Sequence, residues 1–406
     1  MKGIGEMKRM LITVAAIVMC AGVNSQSPVD YLLKAKALTE SGKNYEAVQI
    51  LSEAIAKGTD WRYLVLRGDA FLQLGRLNDA EKDYNQANQI EPSSGDYGLA
   101  RVYALAGNAA KSTVYLESCL NSKYKRSEKE IMLDPAFARI ENTPEWRRFW
   151  KTERYSVIET GMQEIEYNIS TGKRDEAQQI ASELARDYPS ENRVVYAKAL
   201  VDFAFQRYND VITAMSKLLS VEKGNTDYLT LLAKAQMASG NASGAILSYS
   251  RMIDSGVLDA SLFIRRAECY IKTGEFEKAM KDINKFLEFY PENKEALRMA
   301  GRTASAMGDN LKGISFFTKN IEYHPGDPEC YIDRANSFFA CKSWDLAAGD
   351  YGMALDLNPE LPDAWLNKGI ALVNTGKTED ACFDFRKAYS LGNKKASTYI
   401  SRYCIK

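Results

Sequence analysis

The chain has 406 residues, 46% hydrophobic and 26% charged, a globular composition with room for two or three conventional domains. Lys plus Arg equals Asp plus Glu at 53 each, so no global field draws the protein to nucleic acid or to an anionic bilayer. The single histidine, His324, precedes Pro325, which leaves the acid–base and metal chemistry of histidine clusters almost nothing to work with; neither metal nor cofactor is expected.

Residues 1–25 read as an export signal. Lys8 and Arg9 precede an apolar run from Met10 to Ala21, and Val23, Asn24 and Ser25 lead to a cleavage point before Gln26. The run is too short for a comfortable membrane span, and no later apolar stretch approaches the ~20 residues that a span needs. A soluble mature protein, exported to the periplasm or associated with the outer membrane, is therefore expected. Cys20 offers the alternative of a lipid-modified N-terminus and membrane attachment, although Met19 stands where a small residue belongs.

From Pro28 onward one pattern recurs. Tyr31, Ala35, Leu38, Gly42, Ala47, Leu51 and Ala54 make a first copy, and Leu64, Gly68, Phe71, Gly75, Leu77, Ala80, Tyr84, Ala87 and Pro92 a clean second. Ala100, Tyr103, Gly107, Leu116 and Cys119 make a looser third, with Ser112 where a small apolar residue is usual, so residues 26–120 form a first array. The period breaks over residues 121–157. There Pro144 opens a short helix that brings Trp146, Phe149 and Trp150 to one face, either plugging the end of the first array or forming a partner site of exposed aromatics.

Residues 158–393 hold strict phase, with first positions at Ile158, Asn192, Thr226, Ala260, Lys294, Pro328 and Pro362, each 34 after the last. Ala199, Ala233, Ala267, Gly301, Ala335 and Gly369 keep the first helix small at one place, with Ile165 the exception. Gly172, Gly240, Gly274, Gly308 and Gly376 mark the turn, and Lys342 replaces glycine there in the ninth copy, whose geometry is the one to check. Small residues let helix backbones approach closely, glycine permits positive φ where the first helix ends, and Pro189, Pro291, Pro325 and Pro359 stop the second helix. A pair of this size cannot bury its apolar face alone, so stacking neighbours must supply one continuous core.

This small-large-Gly-aromatic-Ala-aromatic-Ala-Pro pattern, of which Pro328–Pro359 is one of ten copies, resembles the tetratricopeptide repeat family. The resemblance implies an all-α fold, a right-handed α-solenoid of stacked antiparallel helix pairs, with first helices lining a concave side that holds a partner peptide or protein. Residues 394–406 read as a capping helix, and the Tyr-Cys ending is similar to exported repeat proteins of Bacteroidetes-like bacteria. Cys382 and Cys404 lie at nearly equal distances from the turn at Gly392 and Asn393, so an antiparallel pair brings them level; a disulfide is predicted, with two buried free thiols as the alternative. Ala371 to Thr378 matches a loose phosphate-binding loop, but it lies within a predicted helix rather than between a strand and a helix, which rejects nucleotide binding.

In the family, peptide carboxylates are often clamped by Lys, Asn and Arg on successive first helices, and the matching positions here hold no full set. Arg265, Arg298 and Arg302 make the nearest thing to an anion patch, with Lys234 at the position of Arg302 two repeats earlier, and Glu268 placed to pair with Arg265 and with an arginine of the next repeat. Phe203, Met237, Ile271 and Phe339 form an apolar row, and Asn336 stands among them. The resulting expectation is a non-enzymatic interaction scaffold. A lipid-anchored subunit of an envelope assembly, or a regulatory or catalytic protein with a site near the connector, are the alternatives.

Overall fold

The computed structural model describes residues 27–405. The export-signal reading of residues 1–25 and the lipid-anchor reading of Cys20 fall outside them. Among the described residues the structure is helical throughout, with ten antiparallel pairs. The first three are α1 (Pro28–Glu40) with α2 (Asn44–Lys57), α3 (Trp61–Gln73) with α4 (Leu77–Ile90), and α5 (Asp96–Leu105) with α6 (Ala109–Leu120). A connector follows, made of α7 (Glu128–Leu133), a 3-10 turn (Pro135–Phe137) and α8 (Pro144–Phe149). Repeats four to six are α9 (Val157–Ser170) with α10 (Arg174–Asp187), α11 (Asn192–Ala204) with α12 (Tyr208–Val221), and α13 (Thr226–Ala238) with α14 (Ala242–Asp254). Repeats seven and eight are α15 (Ser261–Thr273) with α16 (Phe276–Phe289), and α17 (Lys294–Ala306) with α18 (Asn310–Tyr323). The last are α19 (Pro328–Ala340) with α20 (Trp344–Leu357) and α21 (Pro362–Asn374) with α22 (Thr378–Ser390), after which α23 (Ala396–Tyr403) caps the end.

Local chemistry sets these boundaries. Ser27 and Asp30 form a capping box on α1, Asp60 caps α3, and Asn225, Asn293 and Asp327 cap the first helices of repeats six, eight and nine. The turn glycines take φ between +71° and +87°, and Lys342 takes +60°, so the ninth turn keeps the common left-handed geometry without glycine. Gln206 does the same in the fifth repeat at +62°.

The core rests on a size match within each pair. A Cβ added at Gly68, Gly301 or Gly369 would come within 2.7, 2.5 and 2.6 Å of the rings of Tyr84, Phe317 and Phe385. The fourth repeat inverts the match: Ile165 is large on the first helix, Ala181 is small on the second, and both are buried. Across the pairs, Arg67, Arg266 and Arg334 each grip a carboxylate on their own second helix, Asp83, Asp282 and Asp350, through two bonds of 2.7–2.9 Å. The remaining guanidinium nitrogen donates to Ser52, Ser250 or Thr318 on the preceding second helix, so one side chain staples three helices.

The connector does not display its aromatics. Trp146 and Phe149 are each 5% exposed and pack with Leu116, Leu120, Phe137 and Ile140 over the third repeat, which corrects the reading of an exposed partner site. Arg154 lies over the Phe149 ring at 3.7 Å from its centroid and pairs with Glu117. At the far end Cys382 and Cys404 are joined by a disulfide, and Tyr399 stacks on Phe385.

The array also meets itself, which sequence reading does not anticipate. Leu33 and Ala37 of α1 are buried against Ala260, Phe286, Phe289 and Ala296, one superhelical turn further along. Asp30 pairs with Lys285 at 2.8 Å and Lys43 with Glu292 at 3.3 Å. Tyr290 donates to Glu40 at 2.6 Å, and Lys36 to the Leu258 carbonyl at 3.1 Å. Repeats one to seven therefore close into a ring, from which repeats eight to ten continue.

Two outcomes are expected. Gly369→Ala destabilises the chain by about 1–3 kcal/mol through the clash with Phe385, and Phe385→Leu restores part of it in thermal unfolding of the double variant. Leu33→Asp opens the seam, raising the radius of gyration measured by small-angle X-ray scattering while leaving helical circular dichroism nearly unchanged.

Candidate site on the inner wall

Successive first helices lie against one another (α1 with α3, α3 with α5, α9 with α11, α11 with α13, α17 with α19), while second helices pack on the first helices before and after them. The array therefore curves with first helices inside, and their free faces form the inner wall of the ring. One register position recurs on each first helix of this wall: Lys36, Asp69, Arg101, Glu166, Leu200, Lys234, Glu268, Arg302, Asn336 and Ile370. From Lys36 to Arg302 the sign of the charge alternates, with Leu200 the one interruption.

The predicted residues all lie on these inner helices, but they do not act as one patch. Arg298 binds Asp333 at 2.7 Å and Glu329 at 3.0 Å, and Arg302 binds the same Asp333 at 2.9 Å. Asp333 is 4% exposed, so two of the three arginines are engaged by a buried carboxylate of the next repeat. Arg265 remains exposed, with a 3.4 Å contact from its Nε to the Ser261 hydroxyl and the Tyr249 hydroxyl nearby. Glu268 makes no ion pair with it or with an arginine of the next repeat, which corrects that expected pairing; burial pushes its carboxyl up, and Arg265 and Lys272 pull it partly back. Lys234 is exposed and has no carboxylate partner among the described residues.

Apolar side chains of the row are half-buried wedges. Phe203 meets Tyr208 edge-on at 5.4 Å, the Met237 sulfur lies 3.0 Å from Cys269 Sγ, and Phe339 meets Trp344 edge-on at 4.9 Å. Ile271 packs under the seventh repeat. Asn336 accepts a bond from the Tyr351 hydroxyl at 2.7 Å, which orients its amide on the wall. Each wedge presents one edge to the groove while the rest fills space between repeats.

A cluster in the first array escaped the sequence reading. Asp69 accepts from Tyr84 at 2.7 Å and from Arg101 at 3.0 Å; Arg101 lies 3.1 Å from Asp134, which accepts from Tyr97 at 2.8 Å. Burial pushes the Asp69 carboxyl above its ordinary range, against the pull of Arg101. Asp134 comes from the connector, so no repeat register points to it, but Asp69 and Arg101 share their register with Lys234 and Arg302 and were legible on that ground. Glu166 joins the wall in the fourth repeat, its carboxyl pushed up by burial and by Asp227.

Comparisons with known proteins agree on the repeat. Tetratricopeptide repeat profiles match residues 32–96, 260–293 and 362–394. Human tetratricopeptide repeat protein 16 is 26% identical over 235 residues, 52% of this chain and 27% of that protein. The Arabidopsis thaliana inactive TPR repeat-containing thioredoxin TTL3 is 20% identical over 433 residues, 94% of this chain and 60% of that protein. The chain thus spans less than two thirds of either relative. Among solved structures, the C-terminal part of a TPR repeat-containing protein from Cytophaga hutchinsonii aligns with a TM-score of 0.52 at 15% identity, over 58% of this chain and 98% of that one, a likeness of fold.

The second array begins near Glu159, whose ionisation burial opposes but the Ser156 backbone N–H and Lys125 favour, leaving it at about 2. Its carboxylate joins the connector to the second array through Lys125 at 3.0 Å and Arg193 at 3.4 Å. Because the folded value lies below the ordinary 4.5, its contribution is complete above that pH and is lost as pH falls toward 2. The loss is on the order of 2 kcal/mol. Hydrogen exchange across residues 121–157 is expected to rise over that window, and Glu159→Gln to raise it already at pH 7.

Proposed function

Because the chain is built of tetratricopeptide repeats, we propose that it is a non-enzymatic scaffold that holds a protein or peptide partner on the inner wall of its helical ring. One observation carries this reading. Lys234, Arg265, Glu268 and Glu166 stand on the first helices of repeats four, six and seven without ion-pair partners among the described residues, beside the half-buried edges of Phe203, Met237 and Ile271. A partner segment bearing both signs of charge and a few apolar side chains would satisfy these groups and cover those edges. The Arg298–Arg302 region contributes less, since Asp333 and Glu329 already neutralise it.

Export to the periplasm or the outer membrane is part of the same proposal. Lys8, Arg9 and the apolar run after them support it, and so does the Cys382–Cys404 disulfide, which suits an oxidising compartment. Intact mass of the mature protein tests it: an N-terminus at Gln26 is expected, and a lipid on Cys20 would replace that reading with an anchored one.

A photoreactive residue at Lys234 in the intact chain is expected to cross-link a protein or peptide in source cells, whereas the same residue at exposed Leu247 on α14 of that repeat is not. The charge swaps Lys234→Glu and Glu268→Lys should each reduce recovery of that adduct about tenfold. Equal labelling from both positions would overturn the inner-wall reading.

A further inference from the structure

The triple-helix staple is incomplete in the fifth repeat, and the gap is open. Where the second, seventh and ninth repeats place Arg67, Arg266 and Arg334, the fifth places Lys198; where they hold Asp83, Asp282 and Asp350, it holds Ala214. The hydroxyl on the preceding second helix is kept as Ser182, which donates to the Gln178 carbonyl at 2.7 Å as Ser52 does to Val48 in the complete staple. A lysine does this work elsewhere, since Lys368 holds Asp384 at 3.2 Å in the tenth repeat. Cation and hydroxyl are therefore in place at the fifth repeat, and only the carboxylate is missing.

The space for it is a cleft of about 790 Å³ between α10, α11 and α12, lined by Lys198, Ser182 and Ala214. The inverted fourth repeat explains its size: Ala181 stands where Leu51, Tyr84, Leu116, Met215, Tyr249 and their later equivalents fill the gap between repeats. Ala181, Ala185, Val195 and Ala199 leave an apolar floor. Of the other charges on the cleft, Arg207 and Asp202 neutralise each other at 2.9 Å, leaving Lys198 and Lys217 against Asp210. The cleft shares no lining residue with the predicted groove set.

We propose that this cleft binds a small carboxylate with an apolar body, the carboxylate taking the place of the missing aspartate on the Lys198 ammonium, which can also donate to the Ser182 oxygen as Arg67 does to Ser52, and the body covering the alanine and valine floor. The volume lies within the few hundred to about 1,000 Å³ of small-molecule sites. A peptide would bring backbone N–H and C=O groups that such a floor leaves unpaired.

Decanoate titrated calorimetrically into the full mature chain is the test. Saturable one-site binding is expected, with decan-1-ol weaker by about tenfold or more for want of the charge-assisted bond. Lys198→Ala should weaken decanoate by a similar factor. Ala214→Asp, which restores the internal carboxylate, should do the same while raising the thermal midpoint, and Ala181→Leu should block the floor. No saturable binding at millimolar decanoate, unchanged affinity in both Lys198→Ala and Ala214→Asp, or equal affinity for decan-1-ol would each overturn the proposal. None of these results bears on partner capture at Lys234, so the two readings fail separately.

Discussion

Ten helix pairs stack because, on every first helix but that of the fourth repeat, one residue is small enough to admit a large side chain from the second. Gly68 with Tyr84, Gly301 with Phe317 and Gly369 with Phe385 show the constraint at its tightest, where even a methyl group has no room. Everything else in the array is built on that spacing: the turn that must reverse the chain in three residues, the staple whose arginine reaches two second helices at once, and the inner wall on which one register position recurs. Where volume is exchanged across the pair, at Ile165 and Ala181, the stack continues but a cleft opens on its outer side. The size match is thus both the source of regularity and, when inverted, the source of a local departure from it.

Much of this was legible in the sequence, for a physical reason. Repeats are local, and each helix pair reads its own fold from residues fewer than 35 apart. The turn glycines, the halting prolines, the capping helix and the pairing distance of Cys382 and Cys404 are all of this short-range kind. The seam was not legible, because it joins α1 to residues more than 200 positions away through Leu33 and Ala37, which look like ordinary apolar residues of a terminal helix. A hint was present: α1 buries Leu32 and Leu33 together, so it is apolar on two sides, whereas an end helix needs one.

The inner wall was legible by register and misread by chemistry. Arg298 and Arg302 stand out as cations in the sequence, and nothing there announces that Asp333 is buried between them. Glu268 looked like a partner for Arg265 and for an arginine of the next repeat, and makes an ion pair with neither. The lesson concerns position: a charge on an inner first helix is best judged against the same position of the repeats on either side, since Asp69 with Arg101 and Asp333 with Arg302 pair between neighbouring repeats rather than within one.

Ring closure changes what kind of polymer this array is. In an open solenoid each unit feels only its neighbours, and units can be gained or lost at little cost to the rest. Here the first repeat is a neighbour of the seventh as well as of the second, through Phe286, Phe289 and the Asp30–Lys285 pair. Inserting or deleting one repeat between them would rotate the two surfaces out of register. The number of units in the turn, connector included, is therefore held by geometry, and fraying of the first repeat is coupled across the ring to the middle of the chain.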